Sequence, residues 1–183
     1  MKKTLFMAIA LLPFAVSAQK LLKPDVDKLS NDTTWSTSEE KVYFHGNFLT
    51  AQGEAVTFQV IKFSKTKGAV LVLNPQSLNM GEVLSIAKNQ KAYLKFSDNT
   101  IITLASSTDD DGNSKYSLVG HNVAQSSSAL GYYDISDADI EKIKSKTLIF
   151  LRIETSTGNF DCDIKAKNAA MLKKAMELIV NAK

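Results

Sequence analysis

Leu148–Ile164 reads LIFLRIETSTGNFDCDI, and this stretch decides the fold class. Ile149, Leu151 and Ile153 alternate with Phe150, Arg152 and Glu154, the two-residue period of a half-buried strand. Ser156-Thr157-Gly158-Asn159 supplies turn chemistry, and Phe160, Cys162 and Ile164 alternate again on the way back. Pairing Ile153 with Cys162 gathers all six apolar residues on one face. The same register sets Arg152 opposite Asp163 and Glu154 opposite Asp161 on the wet face, where an ion pair contributes little. Cys162 is the only cysteine, so no intramolecular disulfide can form. Its apolar neighbours predict a buried thiol. Asp161 and Asp163 beside it disfavour a thiolate, which argues against a nucleophile.

Working outward, Asn168 is expected to cap a closing helix over about 168–181. Its stripe of Leu172, Ala175, Met176, Ile179 and Val180 would cover one face of a sheet. Upstream, Ser136 with Asp139 three residues on predicts a connector helix over about 136–146. Acidic residues stand in its first turn and lysines in its last, as the helix dipole favours. Ala92–Phe96, Ser97-Asp98-Asn99 and Thr100–Ala105 form a second hairpin, and Tyr116–Gly120 is a further strand.

Nearer the N-terminus, Val42, Phe44, Gly46 and Phe48 share one strand face, with Tyr43, His45 and Asn47 on the other. A turn at Ala51-Gln52-Gly53-Glu54 leads to the alternating Val56, Phe58 and Val60. Lys65-Thr66-Lys67-Gly68 turns the chain into Ala69–Leu73, which Asn74-Pro75 is expected to end. Met80–Ile86 reads as either a short strand or a helical turn. Gln125–Ser128 reads as a loop, and Leu130–Ile135 leads into the connector helix. Many short strands, few helices and no βαβ rhythm give an α+β, mainly antiparallel β domain: a sheet, open barrel or sandwich closed by its C-terminal helix.

The first eighteen residues read as an export signal. Lys2 and Lys3 precede the apolar Thr4–Val16, which is too short to span a bilayer, and Val16-Ser17-Ala18 predicts cleavage between Ala18 and Gln19. That divides the chain into a signal at 1–18, an irregular arm at 19–34 and one domain at 35–183. The mature chain would hold 165 residues, enough for a core without staples. Its expected address is periplasmic or extracellular, soluble and not membrane-spanning. Without the two signal lysines, 20 basic side chains face 19 acidic ones, so a polyanion-binding role has no global support and nucleic acid is not an expected partner. Charge is uneven, however. Residues 98–141 carry eight acidic groups and one basic, and residues 142–183 carry nine basic and four acidic.

Chemistry-bearing patterns are sparse. Ser107, Asp109, Asp111 and Gly112 occupy the first positions of a calcium loop, but Leu118 stands where the bidentate glutamate belongs. Asp109 and Asp111 are thus an incomplete metal candidate, and a hairpin tip explains them as well. His45 and His121 lack metal spacing, and no cofactor motif or catalytic group is identified. The candidate contact residues are Tyr132 and Tyr133 beside the serine run, with one of the two free to be core, and Tyr43 and His45 on their strand.

From Tyr133-Asp134-Ile135-Ser136 through the Arg152-Ile153-Glu154-Thr155 hairpin to Asn168-Ala169-Ala170, the C-terminal third resembles small exported β-rich proteins of Bacteroidetes-type bacteria. The resemblance implies a Gram-negative envelope address and a non-catalytic module. The expected function is an exported, soluble binding or envelope-interaction module. Its partner would be an envelope or extracellular protein, glycan or lipid, met by loops at Ser107–Ser114 and Gln125–Tyr133. Two alternatives stand. One is a hydrolase of envelope or extracellular polymer working through dispersed Asp, Glu and His45. The other is a self-assembling structural protein, an oligomer joined through its acidic and basic halves.

Overall fold

A computed structural model describes residues 19–47, 52–78, 83–119 and 122–182. Residues 1–18, read above as an export signal, and Phe48, Met80 and His121 lie outside the described residues. The organising element is a long hairpin of β4 (Gln52–Phe63) and β5 (Ala69–Leu78). Val56, Phe58 and Val60 face inward, with Leu73 opposite Phe58 and Leu71 opposite Val60. Two strands line up along the outer edge of β4, namely β2 (Thr33–Ser36) and β3 (Glu40–Asn47). Along the free edge of β5 run β10 (Gly131–Ile135) and then β9 (Asn122–Ser128). The short β1 (Asp25–Val26) and β8 (Asn113–Val119) extend the two edges, completing an eight-stranded antiparallel sheet.

The second sheet has four strands in the order β12 (Gly158–Asp163), β11 (Leu148–Thr155), β6 (Lys91–Phe96) and β7 (Ile101–Ala105). Ser106 bridges to Tyr133, and the Ser107 N–H donates to the Tyr132 carbonyl at 2.8 Å, so the chain leaving β7 ties the two sheets together. The result is a curled half-barrel. Helix α1 (Asp137–Ser145) packs against α3 (Met171–Val180), which in turn covers β4; the one-turn α2 (Ala166–Ala169) precedes α3. The buried side chains Phe58, Leu71, Phe96, Leu151, Ile153, Met176 and Ile179 form the common core. Each contributes about 1.5–3 kcal/mol of transfer free energy. The architecture is the α+β, mainly antiparallel fold that the alternation indicates.

Several local expectations are corrected. The β11–β12 hairpin pairs Leu151 with Cys162, Ile153 with Phe160 and Arg152 with Asp161, two residues tighter than Ile153 on Cys162. A shift of two keeps every side chain on its face. The tighter turn is stapled from outside: Ser156 N donates to the Ser85 carbonyl at 3.0 Å, and Ser85 N donates to Ser156 Oγ at 3.0 Å. Arg152 therefore holds Asp161 in a two-pronged pair at 2.6 Å, and its guanidinium keeps that carboxyl below its usual range. Bulges move two apolar residues out of the core. Ile149 is the extra residue between Leu148 and Phe150 and stands at the surface. In β3 the register shifts between Lys41 and Tyr43, so Val42 is buried and Phe44 is half exposed.

Asn74-Pro75 does not end β5. The Pro75 carbonyl accepts from Ala129 N–H, so the edge where proline lacks a donor is the one where the neighbour changes from β10 to β9. Gln125–Ser128 is strand and not loop. Ser127 is buried, and its Oγ accepts from Leu84 N–H at 2.7 Å, so the hydroxyl that this strand turns inward is paired. Gly53 and Glu54 belong to β4 and not to a turn. The expected irregular arm is tied to the sheet: Leu21 bridges Thr37, and β1 pairs β2. Asn168 does not cap the final helix. It lies within α2, where its Nδ2 donates to the Val42 carbonyl at 2.8 Å.

Helix α1 starts as its sequence predicts, with Ser136 Oγ accepting from Asp139 N–H at 3.2 Å. Just beyond it, Lys146 Nζ lies 2.8 Å from Asp98 Oδ2 and donates to Thr100 Oγ1, tying the helix exit to the β6–β7 turn. The lysine first, then the Thr100 N–H, draw the Asp98 carboxyl from 3.8 down to about 2. A depressed folded-state pKa stabilises the fold above about pH 4, and that contribution fades as pH falls from 4 toward 2. Carboxyl NMR titration should find the Asp98 midpoint near 2, and Lys146→Met should move it part of the way back toward 3.8. A wild-type midpoint at the ordinary value would refute the contact.

Candidate functional site

The outward face of the long hairpin carries a hollow of about 350 Å³. Because Val56, Phe58 and Val60 face the core, the pleat turns Thr57, Gln59 and Ile61 the other way. Two cross-strand rows build the hollow. Tyr132 on β10 lies opposite Val72 on β5, which lies opposite Gln59 on β4; beside them Asn74 lies opposite Thr57. Val72 and Thr57 are buried and make the floor, Leu130 and Ile61 add apolar wall, and Tyr132 is half-buried at the rim. The segment between β2 and β3 closes one side. Thr57 Oγ1 donates to Glu39 Oε1, and Gln59 Nε2 donates to the Thr37 carbonyl at 2.9 Å. Ser107 fixes the backbone of Tyr132 through its N–H and through Oγ at 3.1 Å. Asn74 Oδ1 is buried and, among the described residues, accepts from no group. A buried acceptor left without a donor costs free energy, and a ligand hydroxyl or N–H would satisfy it.

Of the residues singled out in the sequence, only Tyr132 belongs to this hollow. Tyr133 points the opposite way and is wholly buried, its ring lying where a side chain at Gly131 would sit; it is core and presents nothing to a partner. Burial pushes its phenol well above the usual range. Tyr43 is half-buried on β3, where burial first and then Cys162, Glu54 and Asp163 raise its phenol. His45 is exposed opposite Glu54. Cys162 is buried, and its thiol is pushed far up by burial and then by Glu54, Asp161 and Asp163.

The acidic tip is occupied with tying its turn to the neighbouring segments at Lys88 and Leu130. Asp109 Oδ1 accepts from Lys88 N–H at 2.6 Å, while Asp110 accepts from Gly112 N–H and Leu130 N–H. Asp111 is exposed. Among the described residues, no three His, Cys, Asp or Glu side chains are grouped to hold a metal ion. Thr57, Gln59 and Asn74 escaped the sequence reading because they come from strands distant in sequence from Tyr132. One signal was available: Ile61, an apolar residue on the outward side of an alternating strand, marks a second half-buried face.

On the outer face of the four-stranded sheet, Tyr93 donates from its hydroxyl to Glu154 Oε1 at 2.9 Å, and Lys91 N–H donates to Glu154 Oε2 at 2.8 Å. These groups are locked to one another and leave a shallower hollow of about 250 Å³.

No family model, no curated protein and no solved structure matches the chain. Among the described residues, no helix is long and apolar enough to cross a membrane.

Proposed function

We propose that the protein is an exported, non-catalytic binding module that seats a neutral saccharide unit of an envelope or extracellular glycan in the Tyr132 hollow. The observation that carries this reading is the pairing of a rim aromatic with an unpartnered buried acceptor, Asn74 Oδ1, over the floor of Val72 and Thr57. A sugar ring has an apolar C–H face to lay on Tyr132 and hydroxyls to meet Asn74, Gln59 and Glu39. Among the described residues lining the hollow Glu39 is the one carboxylate, whereas glycoside hydrolysis works through two flanking the scissile bond. That difference favours binding over the hydrolase alternative. Self-assembly through opposite charges has less support: Lys146 reaches Asp98, Lys142 reaches Asp139 and Lys144 reaches Glu141 within the chain.

The test is an array of neutral and anionic oligosaccharides followed by calorimetry on the retained members. Neutral oligosaccharides should bind and keep their reducing-end count unchanged. Tyr132→Ala should weaken them about tenfold, the factor equal to about 1.4 kcal/mol of lost stacking. Equal binding by Tyr132→Ala, or no neutral glycan retained, would remove the proposal.

A further inference from the structure

We infer that a second hollow, between β3 and α2, is a binding site for a phosphate monoester. It encloses about 320 Å³ and lies apart from the Tyr132 hollow, sharing no residue with it. Its lining brings together Lys41 from β3 with Lys165 and Lys167 from the segment that enters and forms α2; among the described residues of the lining Asp163 is the one acidic side chain, and Glu54 stands near Tyr43. This places part of the basic excess of residues 142–183 next to a basic residue from the other end of the chain. None of the three lysines makes an ion pair within 4 Å among the described residues, unlike Lys142, Lys144 and Lys146. Three lysine side chains lining one hollow repel one another, and a doubly charged phosphate bound there would relieve that repulsion and accept from their ammonium groups.

The walls are fastened in place. Asn168 Nδ2 donates to the Val42 carbonyl at 2.8 Å, pinning α2 to the bulged part of β3. Lys41 Nζ stands 5.3 Å from the centre of the Phe44 ring, which draws the ammonium to the aromatic side of the hollow. Tyr43 lines the same space, and its hydroxyl bonds to no described residue, leaving a donor for a phosphate oxygen. The bulge that turns Phe44 outward thus also furnishes an apolar edge for whatever carries the phosphate.

Phosphate esters occur on soluble sugars and on lipid headgroups, and the experiment separates them. The folded protein is titrated at low salt, by NMR, with inorganic phosphate, glucose 6-phosphate and glucose, and is sedimented with vesicles containing phosphatidic acid, whose headgroup is a phosphate monoester. Inorganic phosphate and glucose 6-phosphate should shift the Lys41, Tyr43 and Asn168 resonances, while glucose leaves these unmoved. The double variant Lys165→Gln/Lys167→Gln exchanges two exposed side chains and leaves the core intact. It should weaken glucose 6-phosphate at least tenfold and keep any oligosaccharide binding at Tyr132. Co-sedimentation supports the site and assigns the phosphate to a lipid; binding confined to the soluble ester supports it and assigns a sugar. Absence of shifts with both phosphate probes, or equal affinity in the double variant, would overturn the site without touching the Tyr132 reading.

Discussion

Gly68→Ala should lower the unfolding free energy by about 3 kcal/mol or more, enough to unfold a marginal domain. Two causes act together. Gly68 closes the β4–β5 turn with φ +77°, a left-handed conformation in which a Cβ is strained. A Cβ there would also run into the Ile135 carbonyl oxygen, far inside van der Waals contact and against backbone that cannot swing aside. The Gly68 N–H donates to Asp137 Oδ1 at 3.1 Å, so the turn is fastened where β10 passes into α1. Moving Ile135 to make room would disturb the end of β10 and the Ser136 cap. Gly158 supplies the control. Its φ is +111°, yet open space surrounds the position, so Gly158→Ala carries the conformational cost alone, about 1–3 kcal/mol. Urea unfolding of the two variants side by side measures the difference. Equal midpoints would mean that the close approach of Gly68 to Ile135 does not exist.

What could be read from the sequence followed from periodicity, and what could not followed from single inserted residues. The alternation of Val56, Phe58 and Val60 locates the core face of β4 correctly because that strand stays in register with β5 through nine successive pairs. The Leu148–Ile164 hairpin keeps its faces despite the wrong pairing, since side chains repeat every two residues and the error was two. A bulge breaks this parity by one, and no residue type announces it. Ile149 and Phe44 read as core for that reason. Pro75 misled differently. Proline does lack a donor, but whether a donor is needed depends on which strand lies alongside, and that is settled by β9 and β10 some fifty residues later. The Tyr132 hollow shares this property. Its rim aromatic is conspicuous beside the serine run, whereas Asn74 marks the expected end of a strand and nothing in the sequence singles out Thr57 or Gln59. Only the rows Tyr132–Val72–Gln59 and Asn74–Thr57, formed across three strands, convert them into one site.

The same bulge yields the second large effect, because two phenylalanines on adjacent paired strands should lose very different amounts of stability on truncation. Phe58 is 2% exposed and sits opposite Leu73 in the middle of the long hairpin. Phe58→Ala removes a ring from the packed core and leaves a cavity that β4, held on both edges, cannot collapse to fill. The expected loss is about 3–5 kcal/mol. Phe44, on the neighbouring β3, is 50% exposed, and its ring meets the Lys41 ammonium in place of the core. Phe44→Ala should cost no more than about 1 kcal/mol, the scale of an exposed contact of this kind. Simple alternation from Val42 assigns both rings to the core and predicts two large losses. The two accounts therefore diverge at Phe44 alone, while Phe58 shows that the assay detects a core deletion. Denaturant midpoints for both variants decide between them, and a loss at Phe44 as large as that at Phe58 would place the residue back inside. That outcome would remove the shift between Lys41 and Tyr43, and with it the aromatic edge of the lysine-lined hollow, since the ring that meets Lys41 reaches it only from outside the core.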